Sequence, residues 1–226
     1  MSSWAFYEEM RRAHEDAVRG CQFERASPEN LDPAGPNRGY VLRIDVSQFF
    51  PQYEELVSRF VDLEPDQYYF PRSDLHITVF EFVSARPDYL AHEPHLEIFR
   101  AVCQKVLANW GSFEISLRGT VFTRTSGIVA GIDNDRLIEI RSELRSELHS
   151  RGVQPLERYE SRSAHVSFMA FRESLRSPEK FLALVEATKD LDLGRIHVSE
   201  MELVEQDWFS RAANRRTLGT YRLGSV

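Results

Sequence analysis

Two segments of the chain repeat the same pattern of residue types. Residues 75–82 read Leu-His-Ile-Thr-Val-Phe-Glu-Phe, and residues 164–171 read Ala-His-Val-Ser-Phe-Met-Ala-Phe. Each has a histidine, one apolar residue, a hydroxyl residue and then an apolar run that favours a β-strand. Side chains at positions i and i+2 of a strand point to the same face, so each histidine lies beside its hydroxyl residue. The two pairs are His76 with Thr78 and His165 with Ser167.

The elements predicted around the two motifs follow a similar order, with a repeat of about 85 residues. The predicted strands are 40–47, 74–83, 113–117, 120–125, 128–132, 164–171, 196–204 and 217–223, and the predicted helices are 3–20, 50–60, 94–110, 135–150 and 178–188. We therefore expect an α+β protein with duplicated β-α-β-α-β units, in which two pseudo-symmetric lobes face a central cleft. The predicted domains are a helix and loop extension over 1–39 and a bilobal domain over 40–226, with lobe repeats of about 40–125 and 126–224.

Two imidazoles and two hydroxyls in one cleft are suited to opening a phosphodiester. The reaction needs a base for the nucleophile and an acid for the leaving oxygen, and imidazole, with a pKa of about 6.5, can take either part near neutrality. Hydroxyl donors can stabilise the charge that develops on the phosphate oxygens. The residues leave open which histidine is the acid and which is the base.

The repeated motif resembles that of the 2H phosphoesterase superfamily, which includes 2′,3′-cyclic phosphodiesterases and 2′-5′ RNA ligase-like proteins. In element order the resemblance covers roughly residues 40–224. It implies an antiparallel sheet in each lobe. It also implies that His76 and His165 are the catalytic pair and that Thr78 and Ser167 contact the phosphate.

We therefore expect a metal-independent phosphodiesterase that acts on a 2′,3′-cyclic phosphate, a 2′-5′-linked nucleotide or a cyclic oligonucleotide. No cofactor is expected. Two alternatives remain open: a non-catalytic module that binds nucleotides or RNA ends, and an enzyme that trims or ligates RNA ends.

An aromatic residue and an arginine precede each motif. Tyr69 and Arg72 come before the first histidine, and Tyr159 and Arg162 come before the second. We expect these four side chains to stack a base or hold a phosphate, although ordinary packing and solvation would also account for them.

The remaining histidine motifs are expected to be structural. His197-Val198-Ser199 also has the His-x-Ser spacing, but the corresponding strand of the first repeat has no histidine. His92 and His95 lack further zinc ligands at suitable spacing, so surface positions are expected for both. The alternating charges of residues 141–147 predict an exposed helix face.

Composition limits the partners. The formal net charge is −7 and the isoelectric point about 5.6, which is unfavourable for gripping long duplex nucleic acid through its phosphates. No run approaches 18 apolar residues, so no membrane span is expected. Only two cysteines occur, which indicates reduced thiols, and we expect a cytoplasmic protein.

Overall fold

The computed structural model describes residues 3–48 and 51–224. The α-helices are α1 (Ser3–Arg19), α2 (Pro28–Leu31), α3 (Tyr53–Leu63), α4 (Leu96–Leu107), α5 (Arg136–Ser150) and α6 (Pro178–Thr188). The strands are β1 (Arg38–Asp45), β2 (Tyr68–Tyr69), β3 (His76–Arg86), β4 (Phe113–Phe122), β5 (Ser126–Ile132), β6 (Val166–Ala170), β7 (Asp192–Val198), β8 (Glu200–Asp207) and β9 (Arg216–Arg222). Short 3₁₀ helices span Arg72–Asp74, Tyr89–His95 and Ala212–Asn214.

The strands form two antiparallel sheets, and each sheet contains one of the two histidine motifs. The four-stranded sheet has the order β3-β1-β8-β9, and the five-stranded sheet has the order β2-β6-β5-β4-β7. All of these strand pairs are antiparallel. The expected α+β fold with two antiparallel sheets and an N-terminal helix is confirmed.

The membership of the sheets does not follow the lobe repeats of about 40–125 and 126–224. Strand β4 pairs with β5 and β7 in the sheet of the second motif, while β8 and β9 lie in the sheet of the first. A tight turn joins β4 to β5, with the Thr123 amide donating to the Ser126 carbonyl, and strands so connected are usually neighbours. Strand β1 begins at Arg38, so the expected boundary after residue 39 falls within it.

The strand predicted over 196–204 is wrong in one respect, because the structure has two strands there. They are β7 and β8, which belong to different sheets and are separated at Ser199. The buried apolar positions are Ile196 and Val198 and then Met201 and Leu203, so the alternation slips by one residue at the break. That slip turns the chain from one sheet into the other.

The strands predicted separately over 113–117 and 120–125 are instead one strand. Strand β4 runs through a bulge at Gly119, which has φ +61°. A Cβ at this position would overlap the Lys189 carbonyl, so the bulge depends on glycine. The bulge keeps β4 continuous against both of its neighbours.

Four predicted helices correspond to α1, α4, α5 and α6, with ends that differ by up to three residues. The predicted helix over 50–60 is shifted to Tyr53–Leu63, and its expected start at residue 50 lies outside the described residues. Helices α1 and α6 contact the five-stranded sheet and each other. Helix α5 contacts α4 and β3.

The segment after α5 explains how the two motifs come together. It lies along the open edge of β3, where the Ser84 amide donates to the Leu156 carbonyl and the Leu156 amide donates to the Phe82 carbonyl. The Arg158 amide donates to the Glu81 carboxylate further along. The chain then enters β6, so the second motif begins beside the strand that carries the first.

Candidate active site

His76 is the first residue of β3 and directly follows a 3₁₀ turn. Its Nδ1 atom lies 2.8 Å from the carbonyl oxygen of Asp74. A carbonyl oxygen can only accept, so Nδ1 carries a proton and donates it. The Asp74 carboxylate is buried and accepts from the Ala212 amide at 2.9 Å, which fixes the turn. The Nε2 atom has no partner among the described residues and is available to a ligand.

His165 is held by a contact at the same spacing along the chain. Its Nδ1 atom lies 2.7 Å from the hydroxyl of Ser163, again two residues earlier. Its Nε2 atom likewise has no partner within the described part of the chain. Both rings are therefore oriented through Nδ1. His76 begins β3 and His165 directly precedes β6, and these two strands contact each other.

Burial and nearby guanidinium groups keep both imidazoles neutral. Burial is the main cause that lowers the pKa of His76 to about 3, followed by the charge of Arg43 and, more weakly, of Arg215. Burial followed by the charges of Arg141 and Arg158 lowers the pKa of His165 to about 4. The site therefore combines uncharged rings with four nearby guanidinium groups, of which Arg43 is paired with Asp45 and Glu202, and Arg158 with Glu81.

The hydroxyls of Thr78 and Ser167 lie on the partly buried surface of the same two strands. Thr78 is opposite Arg43 in the β1–β3 pairing, and Ser167 is opposite Ile128 in the β5–β6 pairing. Neither hydroxyl has a hydrogen-bond partner among the residues that the structure describes. Both are free to donate to a ligand.

The other predicted binding residues differ in whether their side chains already have hydrogen-bond partners within the protein. Tyr159 is 56% exposed and Arg162 is exposed. Tyr69 donates its hydroxyl to the Glu64 carbonyl at 2.9 Å. Arg72 pairs with the Glu54 carboxylate and donates to the Ser47 carbonyl at 3.1 Å. The role predicted for Tyr69 and Arg72 stays a prediction, although both have partners within the protein.

Two arginines of the site, Arg43 and Arg141, were not predicted from the sequence. Arg43 is completely buried and donates to the Ser210 hydroxyl at 3.0 Å. Arg141 was expected on an exposed helix face, which is wrong because only 1% of its surface is exposed. It donates to the carbonyls of Val79, Thr78 and Ser163 at 2.7, 3.0 and 2.8 Å. Arg141 therefore connects the two histidine motifs directly.

Arg158 and Trp208 form a further feature that was not predicted as a pair. The Arg158 guanidinium lies 4.4 Å from the centre of the Trp208 ring and 5.6 Å from that of Tyr159. Arg158 lies on the segment that leads into the second motif, and its amide donates to the Glu81 carboxylate of β3, so this aromatic and cationic surface lies beside the strand of the first motif.

His197 is separated from the second histidine motif by two strands of the five-stranded sheet. It lies exposed on the edge strand β7, which β4 and β5 separate from β6. It lines a cavity of about 260 Å³ together with acidic side chains, among them Asp45 and Glu202. No cluster of three or more potential metal ligands is found within residues 3–48 and 51–224.

Two antiparallel sheets that bring together two His-x-Thr/Ser motifs define the class of the two-histidine, or 2H, phosphoesterases. A family model described as the 2′-5′ RNA ligase superfamily matches residues 49–207, and the chain belongs to this superfamily. The family is one of phosphoesterase and RNA ligase-like enzymes.

Solved structures share the fold at low sequence identity. TT0787 of Thermus thermophilus superposes with a TM-score of 0.54 at 16% identity, over 84% of this chain and 98% of that chain. E. coli LigT complexed with 3′-AMP gives a TM-score of 0.53 at 15% identity, over 84% of this chain and 99% of LigT. The apo form of LigT gives 0.51 at 13% identity with the same coverage.

A search of curated proteins gives no match. None of the helices in the described parts of the chain has the length and apolar character needed to cross a membrane.

Proposed function

We propose that the protein is a metal-independent phosphodiesterase in which His76 and His165 are the acid and base catalysts. Its substrate is a 2′,3′-cyclic phosphate, a 2′-5′-linked nucleotide or a cyclic oligonucleotide. The observation that carries the proposal is the matched pair of imidazoles, each engaged through Nδ1 and open at Nε2. Membership of a phosphoesterase superfamily supports it.

The reaction on a cyclic phosphate follows from this geometry. One imidazole takes a proton from water as the water oxygen forms a bond to phosphorus. The bond from phosphorus to the 2′ or 3′ oxygen breaks, and the other ring, as imidazolium, donates a proton to that oxygen. Thr78 and Ser167 donate to the non-bridging oxygens, whose negative charge grows in the transition state. The product is a phosphate monoester.

The acid must hold a proton, although both rings are neutral in the free protein. A bound phosphodiester brings a negative charge between them and offsets the nearby guanidiniums. An opposite charge within about 4–6 Å raises the pKa of an imidazole. The substrate itself therefore promotes the protonation that its cleavage requires.

We assign binding of the nucleoside part to the surface beside the second motif. The exposed Tyr159 ring provides a stacking surface, and Arg162 provides a charge for a second phosphate. A small nucleotide is a suitable partner for a fold that in LigT has been obtained in complex with 3′-AMP.

The test is hydrolysis of the four 2′,3′-cyclic nucleotides with EDTA present. We expect turnover by the wild type and a loss of about 10²–10⁴-fold in kcat for each of His76→Ala and His165→Ala, because each removes one proton transfer. His197→Ala, which removes an exposed histidine of an edge strand, is the matched control and should stay within twofold of the wild type. Full activity of either variant of the pair would refute the mechanism.

The family description favours RNA end joining as a second candidate. A 5′-hydroxyl would then take the place of water. One imidazole takes its proton as its oxygen forms a bond to phosphorus, the bond from phosphorus to the 3′ oxygen of the cyclic end breaks, and the other ring, as imidazolium, protonates that oxygen, which leaves a 2′-5′ joined product. A non-catalytic binder, by contrast, would retain affinity for 3′-AMP in the His76→Ala variant while the wild type forms no product. Joined strands would indicate ligation, hydrolysed ends would indicate a phosphodiesterase, and binding without any product would indicate a non-catalytic module.

A further inference from the structure

Tyr7 of the N-terminal helix is a buried polar side chain that reaches the backbone beside His165. It is only 1% exposed and lies in a small apolar cluster with Val121, Ile128 and Ala130. Helix α1 precedes residues 49–207, the part of the chain that matches the family model. Tyr7 therefore lies outside the part of the chain that the family model covers.

The Tyr7 hydroxyl uses its full hydrogen-bonding capacity on two backbone segments. It donates to the Gly131 carbonyl at 3.1 Å and accepts from the amides of Ala164 at 3.1 Å and Gly131 at 3.3 Å. A hydroxyl has one proton to donate and two lone pairs, so no capacity remains. Burial raises the pKa of Tyr7 well above its ordinary value, and the group stays neutral.

These contacts continue the β5–β6 pairing beyond its end. The last paired residues are Val129 and Val166, and Gly131 and Ala164 stand two positions further along each strand. A Cβ on Gly131 would overlap the Ala164 carbonyl oxygen, so the two backbones are in close contact. The Tyr7 hydroxyl therefore bridges the next pair in the same register.

A single peptide unit, between Ser163 and Ala164, is fixed at both of its polar ends. Its carbonyl accepts from Arg141 of α5 at 2.8 Å, and its N–H donates to Tyr7 of α1 at 3.1 Å. The hydroxyl of Ser163 contacts Nδ1 of His165 at 2.7 Å. Rotation of this peptide would move the Ser163 hydroxyl and the His165 ring together.

We propose that Tyr7 is a positioning residue, which holds the Ser163–Ala164 peptide and thereby the His165 imidazole in the orientation needed for proton transfer. The effect on turnover rests on the proposed function, because it requires His165 to be a catalyst. The effect on the orientation of the ring does not. Helix α1 is thus part of the catalytic apparatus as well as of the fold.

The kinetic test is Tyr7→Phe, which keeps the ring and removes the hydroxyl. We expect kcat on the best cyclic nucleotide to fall about tenfold with KM within twofold, because small misplacements of a catalytic group are costly. Met10→Leu is the matched control, since Met10 packs on the same cluster and its replacement conserves the apolar volume. It should leave both constants within twofold. Wild-type kcat in Tyr7→Phe would overturn the proposal.

Two measurements need no substrate. In NMR spectra of Tyr7→Phe the ring resonances of His165 should shift while those of His76 stay in place. Equal shifts of both rings, or none, would contradict a local role. If the wild type lacks turnover but His165 alone shifts, the proposed function fails and the positioning role stands.

Amide exchange of the wild type provides evidence even if Tyr7→Phe does not fold. The Ala164 amide lies outside the strand pairing, so its protection depends on the Tyr7 hydroxyl. We expect Ala164 to exchange within tenfold of the rate of Val166, which is in the pairing. Exchange at the rate of an unprotected amide would overturn the proposal.

Discussion

The imidazoles of His76 and His165 are both disfavoured as cations, although their neighbours differ. Desolvation is the largest cause for each, but Arg43 acts on the first ring while Arg141 and Arg158 act on the second. Because these guanidiniums are fixed by contacts within the protein, the charge of the site does not depend on a bound ligand. The free protein therefore keeps both rings uncharged beside guanidinium groups that are fixed in place.

This resistance to protonation has a consequence for stability. In the folded protein the pKa values of the two rings, about 3 and about 4, lie below the value of about 6.5 for an unperturbed histidine. As the pH falls below 6.5, the unfolded chain binds protons at these sites before the folded protein does, so the free energy of unfolding decreases. Each histidine therefore lowers the free energy of unfolding at pH 5 by about 2 kcal/mol relative to its value at pH 8.

The free energy of unfolding of the wild type should decrease between pH 8 and pH 5. We predict that in the double variant His76→Gln/His165→Gln this decrease is smaller by roughly 2–4 kcal/mol. Urea denaturation at a series of pH values measures this difference. His197→Gln, which replaces an exposed histidine, is measured beside the double variant as the matched control. An unchanged pH dependence in the double variant would mean that the pair titrates normally.

At the scale of residues, the sequence predicted where the histidines and hydroxyls are but not what surrounds them. The His-x-Thr/Ser spacing predicts that each histidine lies beside its hydroxyl residue, because residues two apart in a strand share one face. The arginines come from distant elements, and their approach depends on tertiary packing. Arg43 did leave a signal as a charge inside an apolar run, and Arg141 lies on the same helix stripe as Leu137 and Leu144.

At the scale of elements, α5 joins the two sheets through one side chain. The Arg141 guanidinium donates from Nε and Nη2 to three carbonyls, two on β3 and one on the segment leading into β6. A planar guanidinium can serve several acceptors at once, whereas an ammonium is a single compact charge. The separation of the two motifs is therefore set by the geometry of this group.

We predict that Arg141→Lys lowers the free energy of unfolding by about 3 kcal/mol, because buried carbonyls lose their donors and a buried charge is left poorly solvated. Thermal or urea denaturation measures the loss. Arg136→Lys is the matched control, since Arg136 is an exposed residue of the same helix, and should change stability by less than about 0.5 kcal/mol. Equal stability of the two variants would show that the three carbonyls do not depend on the guanidinium.

Element positions were predictable to different degrees. Helix α6 was predicted over its observed span, because Pro178 marks the start of a clear apolar periodicity. The break at Ser199 was missed, because two strands of similar composition follow each other almost without a turn. The slip in alternation was the available signal, because the apolar residues move from even positions, Ile196 and Val198, to odd positions, Met201 and Leu203.

At the scale of the whole molecule, neither sheet is made from one continuous half of the chain. The four-stranded sheet combines β1 and β3 with β8 and β9, while the five-stranded sheet takes β2 and the strands from β4 to β7. Local periodicity predicts strands but not their partners, so the expected lobe repeats could not reveal this exchange. Each sheet needs chain segments that are far apart in sequence.

We predict a single cooperative unfolding transition. Strands of one sheet are followed directly along the chain by strands of the other, so neither sheet can unfold without disturbing its neighbour. Two single-tryptophan variants report on the two sheets separately. One retains Trp4, which packs beside the five-stranded sheet, and the other retains Trp208, at the end of β8 in the four-stranded sheet. Their fluorescence midpoints in urea should coincide with the circular dichroism midpoint. Separate midpoints would indicate two independently stable units.

The contacts at Nδ1 make the two histidines unequal in their choice of tautomer. The Asp74 carbonyl can only accept, so the neutral His76 ring keeps its proton on Nδ1 and presents a lone pair at Nε2. The Ser163 hydroxyl can rotate to donate or accept, so neutral His165 can present either a lone pair or a proton at Nε2. One member of the pair is thus locked in a single neutral tautomer, and the other can exchange between two.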